Sequence, residues 1–279
     1  MINQSSQNLI RVAIVQLAFI FATISSNVCG ELIPIISATA TVGTARAGAR
    51  SVKNENKYPS YAVSSTNKYC AGTLIASDII LTAANCQGAF IGGVIIGGNR
   101  YNGSGGEYSA VAYEIPHPKF VKIIDKNDIM LVKLLIPSKA PLQKLNFDEG
   151  TTTKVNRIKK IGYGATKDGP IGSQQLMEVF IKVIEHSVCT VLWSRYDLNE
   201  KNNICAGDLK SGGVEGCNGD SGSPLLLVKK NEQVGLLSFS KGCTSANTPL
   251  VYTRLSGYKS FIQQNICVHT TSKRPSYCR

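Results

Sequence analysis

The chain has 279 residues, 43% of them hydrophobic, with 30 Lys and Arg against 18 Asp and Glu, a net charge of +12. That apolar content sets aside a disordered chain, and 26 Gly without a three-residue period or any sustained heptad set aside collagen and coiled coil. The length admits one large all-β domain or two ordinary ones, and nine Cys point to an oxidising compartment.

Residues 1–30 read as a secretory signal peptide: a polar start carrying Arg11, an apolar run from Val12 to Ala22, and Val28-Cys29-Gly30 before a cut at Glu31. The run falls short of the roughly 20 apolar residues of a spanning helix, so no transmembrane anchor is expected and the mature chain reads as secreted and extracellular. Without the signal the chain keeps 29 basic and 18 acidic residues, net +11, and eight Cys, an even number that suits four disulfides. Residues 31–56, rich in Ala, Thr, Ser, Gly and Arg, read as a leader or flexible N-terminal arm. From Tyr58 onward, short apolar runs are broken by Gly, Asn, Asp and Pro: Gly72–Ile75, Ile79–Ala83, Phe90–Ile96, Val179–Ile184 and Pro224–Val228. That pattern predicts an all-β barrel or sandwich. Ser256 stands where it could cap a C-terminal helix carrying Tyr258, Phe261, Ile262 and Ile266 on one face, and a basic tail, 268–279, follows.

No Cys-x-x-Cys pair occurs, and His117, His186 and His269 are not grouped as ligands, so neither a metal nor an organic cofactor is expected. Asn102-Gly-Ser104 is a possible N-glycosylation sequon in a Gly-rich loop. The basic balance suits a polyanionic glycan; Lys154, Arg157, Lys159 and Lys160 are the densest cluster, with Lys119, Lys122 and Lys126 in another loop and Lys273, Arg274 and Arg279 in the tail. The competing reading of such scattered Lys is a solubilising surface. No nucleic-acid motif is present.

Three separated stretches carry a further signal: residues 70–86 (CAGTLIASDIILTAANC), 127–134 (NDIMLVKL) and 216–224 (GCNGDSGSP). In this order they resemble the His, Asp and nucleophile segments of the trypsin-like serine protease family. Residues 161–166 (IGYGAT), Ser238-Phe239 before Gly242-Cys243, and 249–253 (PLVYT) agree with it. The resemblance runs from about Tyr58 to Ile266. It implies two packed six-stranded antiparallel β-barrels with a C-terminal helix, a cleft between the barrels, and a protease-type domain over 57–267. It also implies that Cys70 pairs with Cys86, Cys189 with Cys205 and Cys217 with Cys243, which leaves Cys267 and Cys278 for each other.

Protease chemistry of this kind needs a nucleophile, a base that takes its proton, and a carboxylate that orients the base. The resemblance puts Ser221 in the first role and Asp128 in the third. The position of the base holds Asn85, whose carboxamide takes up no proton near neutral pH. Gly219 and Ser221 would supply the oxyanion N–H groups. Asp220 is the acid that, in active relatives, pairs with a new apolar N-terminus; cuts after Arg46 or Arg50 would expose Ala47-Gly48 or Ser51-Val52 instead. Glu215 falls at the floor of the specificity pocket, with Ser240 and Leu250 at walls usually made of Gly; Ser223 also replaces a Gly. The expectation is a secreted, catalytically inactive serine protease homologue that binds an extracellular protein partner or a component of a protease cascade. The alternatives are a weak or unconventional serine-type endopeptidase using Ser221, and a polyanion-binding module.

Overall fold

The computed structural model describes residues 50–52, 57–65, 69–98, 100, 104–155, 157–163, 175–210, 220–241 and 247–278. The signal segment, Arg46, Asn102, Glu215, Cys217, Gly219, Cys243 and Arg279 lie outside the described residues.

In chain order the first strands are β1 (Arg50–Ser51), β2 (Tyr61–Ser64), β3 (Ala71–Ala76), β4 (Ile79–Thr82), β5 (Val94–Ile96), β6 (Glu107–Ser109), β7 (Val111–Pro116) and β8 (Met130–Leu134). Strands β2 to β8 make one antiparallel sheet in the order β6-β5-β2-β3-β4-β8-β7. Only Ala110 separates β6, paired with β5, from β7, paired with β8, so one bent strand joins the two edges of the sheet. The second group is β9 (Arg157–Gly162), β10 (Met177–Ile184), β11 (Asn203–Gly207), β12 (Pro224–Leu227), β13 (Gln233–Phe239) and β14 (Leu250–Arg254). Its order is β10-β11-β14-β13-β12-β9, and β9 pairs back onto β10 to close a six-stranded barrel. Helix α1 (His186–Leu192) follows β10, and α2 (Lys259–His269) follows β14. The expected all-β pair of antiparallel barrels with a C-terminal helix is what the chain builds.

The apolar runs explain where the cores sit. All of β4 and β8 is buried, including both faces of Ile79-Ile80-Leu81 and Met130-Leu131-Val132. Because successive strand side chains point to opposite faces, such a run needs cover on both sides. Tyr258, Ile262 and Ile266 from the C-terminal segment belong to the same core cluster and supply part of that cover.

Several local expectations are corrected. Arg50–Val52, read as part of a flexible arm, instead pair with β10 through Arg50–Glu178 and Ser51–Met177, and Val52 is buried. Within Phe90–Ile96 only Val94–Ile96 is strand, because Gly93 adopts φ +106° and its N–H closes a turn onto the Phe90 carbonyl. Ser256 caps nothing: it sits in a 3-10 turn, Leu255–Tyr258, and α2 starts at Lys259 without a side-chain cap. The Lys154–Lys160 cluster does not form a surface patch, since Lys159 and Lys160 are buried and only Lys154 and Arg157 are exposed.

Disulfides join Cys70 to Cys86, Cys189 to Cys205 and Cys267 to Cys278, as expected. The tail is also tied down by charge. Asp78, fully buried, accepts from Lys133 Nζ at 2.5 Å, from the Thr270 hydroxyl at 2.6 Å and from the Thr271 N–H at 2.8 Å. Burial alone would raise the Asp78 carboxyl, but the Lys133 ammonium and the threonine donors hold it well below the usual carboxylate range. Removing one partner of a buried pair strands the other charge, so Lys133→Met is expected to cost about 3–5 kcal/mol in urea unfolding. A loss under about 1 kcal/mol would contradict that role for the pair.

Candidate functional site

The three segments singled out by sequence converge at the junction of the two barrels. Asn85 lies in a 3-10 turn, Ala84–Cys86, directly after β4; Asp128 stands two residues before β8; Ser221 lies in the turn ahead of β12. The turn is anchored to both sheets: the Ala71 N–H of β3 donates to the Ser221 carbonyl at 2.8 Å, and the Gly222 N–H donates to the Leu237 carbonyl of β13 at 2.8 Å. Gly222 makes this crossing possible. Its φ is +81°, and a Cβ there would run into the Ala71 carbonyl oxygen and the Thr82 hydroxyl.

Asp128 is fully buried and receives three donors. The Asn85 backbone N–H reaches Oδ1 at 2.7 Å; Asn85 Nδ2 reaches Oδ2 at 3.0 Å, as does the Ser238 hydroxyl at 2.5 Å. The amide has a second N–H, and it donates to the Ser238 carbonyl at 2.8 Å. Both donors of the Asn85 amide are therefore spent on Asp128 and Ser238. Among the described residues, no hydrogen bond joins the Ser221 hydroxyl to Asn85.

All three histidines are placed, and none hydrogen-bonds Ser221. His117 packs its ring on Tyr258 and Phe261, with Nδ1 accepting from the Lys119 N–H. His269 meets the Tyr113 hydroxyl at 3.2 Å, and His186 opens α1 on the wall of a separate cavity.

Burial pushes the Asp128 carboxyl up to about 7, outweighing the bonds from Ser238 and the Asn85 N–H, and nearby Asp125 adds to the rise. The folded chain then holds a proton on Asp128 more tightly than the unfolded chain does. The stability this contributes is fully present below about pH 4 and is lost as pH rises to about 7. Asp128→Asn should flatten that slope. Between pH 4.5 and 7.5 the unfolding free energy of the variant should fall less than that of the unchanged chain, by about 1–3 kcal/mol. Equal slopes in urea titrations would rule the burial effect out. Asp78 titrates with the opposite sign in both chains and cancels from the comparison.

Asp220 is fully buried and ion-paired with Lys160, itself 1% exposed. Ser240 borders a cavity of about 470 Å³ lined also by Trp193, Tyr196 and Lys241. Phe239 stacks on Tyr196 with ring centroids 4.4 Å apart and meets Trp193 edge-on at 5.1 Å, giving that side of the junction an aromatic wall. Leu250 does not line this cavity; it is 1% exposed and packs in the core of the second barrel with Ala206 and Tyr252. The sequence places Lys160 in a basic cluster rather than beside Asp220, and gives no sign of Ser238 as a donor to Asp128 or of the aromatic wall. In β9, consecutive Lys159 and Lys160 point to opposite faces, so at least one of them must face inward.

A closed six-stranded antiparallel barrel and a curved antiparallel sheet, meeting at Ser221, Asp128 and position 85, define the serine-protease class of fold. The Trypsin family model matches residues 47–262, and the chain belongs to that family. It is similar to a trypsin of Saccharopolyspora erythraea, 28% identical over 204 residues that cover 71% of this chain and 87% of the relative. Trypsin 5G1 of Aedes aegypti is 26% identical over 209 residues, 71% of this chain and 76% of the relative. Venom serine protease Bi-VSP of Bombus ignitus is 30% identical over 206 residues, 68% of this chain and 57% of the relative. No helix among the described residues is long and apolar enough to cross a membrane, and no group of residues among them could hold a metal ion.

Proposed function

We propose that this chain is a secreted trypsin-family protein that engages extracellular protein partners without hydrolysing them. The observation that carries the reading is the Asn85 amide, which spends both N–H groups on Asp128 and the Ser238 carbonyl. With a carboxamide in that place, Asp128 is engaged by the Asn85 amide and Ser238, and among the described residues no group that takes up a proton near neutral pH is hydrogen-bonded to the Ser221 hydroxyl. Asp128 need not be lost with activity, because its carboxylate accepts from the Asn85 N–H on one side and from the Ser238 hydroxyl on the other. The test is incubation of the secreted chain with unfolded casein. No cleavage above background is expected, and cleavage that Ser221→Ala abolishes would establish the alternative, a weak endopeptidase.

A second reading, compatible with the first, is polyanion binding. It is favoured by a groove of about 650 Å³ lined by Arg50, Lys154, Arg157, Lys229 and Lys230. The sequence-derived patch loses Lys159 and Lys160 to the interior but gains the β12–β13 turn, so five cations from distant parts of the chain share one concavity. Such focusing raises the local concentration of a sulfated glycan in a salt-dependent way. Lys229→Glu with Lys230→Glu should move heparin elution to clearly lower salt than the same charge change at Lys119 and Lys122. Equal shifts would mean diffuse charge.

A further inference from the structure

The acid that precedes Ser221 has its cation built into the fold. Lys160 sits in the middle of β9, and its ammonium contacts Asp220 Oδ2 with both side chains sealed from solvent. Neighbouring residues are shaped around this pair. Gly162, two places along the strand on the same face, has no Cβ, and one there would collide with Asp220 Oδ1. Ser223 is fully buried beside the same spot, its Oγ 3.3 Å from where that Cβ would stand, and its N–H donates to the Asp220 carbonyl at 2.9 Å. A buried carboxylate without a counter-charge would cost several kcal/mol and would neutralise or move. Here a strand residue meets that need, and the turn carrying Ser221 is fixed at its first residue by Lys160, at its second by Ala71 and at its third by Leu237.

We infer that Lys160 is a positioning residue that locks the Asp220–Ser223 turn in one conformation whether or not the chain is cut upstream. A counter-cation that belongs to a strand is present as soon as the barrel closes, whereas one supplied by a new chain end would appear only after cleavage. Of the two candidate cut sites, Arg50 lies in β1, where Arg50 and Ser51 pair with β10 and the Val52 N–H donates to the Leu176 carbonyl at 2.8 Å. A cut there would sever a paired strand, which leaves the bond after Arg46 as the relevant one.

The inference extends to the Ser221 segment without depending on whether the chain is active, and its test reads conformation. Hydrogen–deuterium exchange of the 220–227 peptide would be compared between the full secreted chain carrying Arg46→Gln and a chain whose N-terminus is Ala47. Exchange rates are expected to agree within about twofold. Lys160→Met should speed exchange of this peptide at least about tenfold in both chains while leaving Leu250–Arg254 protected, and Lys160→Arg should restore most of the protection. Exchange that slows about tenfold when the chain starts at Ala47 would overturn the inference, as would a Lys160→Met chain that exchanges like the unchanged one. The comparison of the two N-termini keeps Lys160 and Asp220 intact, so it decides even if Lys160→Met fails to fold.

Discussion

Asn85→His is expected to raise the rate at which Ser221 reacts with a serine-directed phosphonate by about a thousandfold or more, since removing the His of a comparable triad costs on the order of a millionfold. The surroundings of position 85 already suit an imidazole. Asp128 Oδ2 lies 3.0 Å from the present Nδ2, ready to hold one ring N–H and leave the other ring nitrogen for the Ser221 hydroxyl. The Ser221 backbone is anchored to both barrels and, through Asp220, to Lys160. Second-order rate constants from intact-mass measurement check this, with Asn85→Gln as the control that changes size without adding a base. A His variant no faster than the Gln variant would mean that position 85 is not what limits Ser221.

Gly222→Ala is expected to destabilise the chain strongly, because the turn that carries Ser221 has no room for a Cβ. The left-handed conformation at φ +81° costs an L-residue about 1–2 kcal/mol, and the backbone shift needed to clear the Ala71 carbonyl and the Thr82 hydroxyl adds about 1–3 kcal/mol. Because the Gly222 N–H bonds to Leu237 while the preceding carbonyl bonds to Ala71, relaxation on one side strains the other. Urea unfolding should therefore show a loss of about 2–5 kcal/mol, and a loss below about 1 kcal/mol would show that the two barrels can separate here without penalty.

The sequence made the architecture legible because each site segment is welded to a strong strand signal. Ile79–Ala83 and the run after Asp128 are dense apolar stretches, and the positions of Asn85, Asp128 and Ser221 follow from them by short fixed offsets. What could not be read was pairing across long separations. Lys160 and Asp220 are sixty residues apart, and nothing local to either announces that two ordinary surface-type residues will be buried together. The same limit applies to Asp78 with Thr270, and to Phe239 stacking on Tyr196. Charge counting misled for that reason: Lys159 and Lys160 look like part of a basic patch until strand alternation and burial assign one to Asn231 and the other to Asp220. Ser256 has the right chemistry for a cap, but the 3-10 turn moves the first helical residue two places on, from Gly257 to Lys259.

Among the described residues, no group able to take up a proton near neutral pH is hydrogen-bonded to the Ser221 hydroxyl, and the reactivity of that hydroxyl is the consequence to measure. The direct measurement is intact-mass analysis of the unchanged secreted chain held with excess fluorophosphonate at pH 8, beside its Ser221→Ala variant. No adduct is expected at Ser221 over hours, with both chains alike; stoichiometric labelling within minutes that vanishes in the alanine variant would mean that Ser221 is an activated nucleophile.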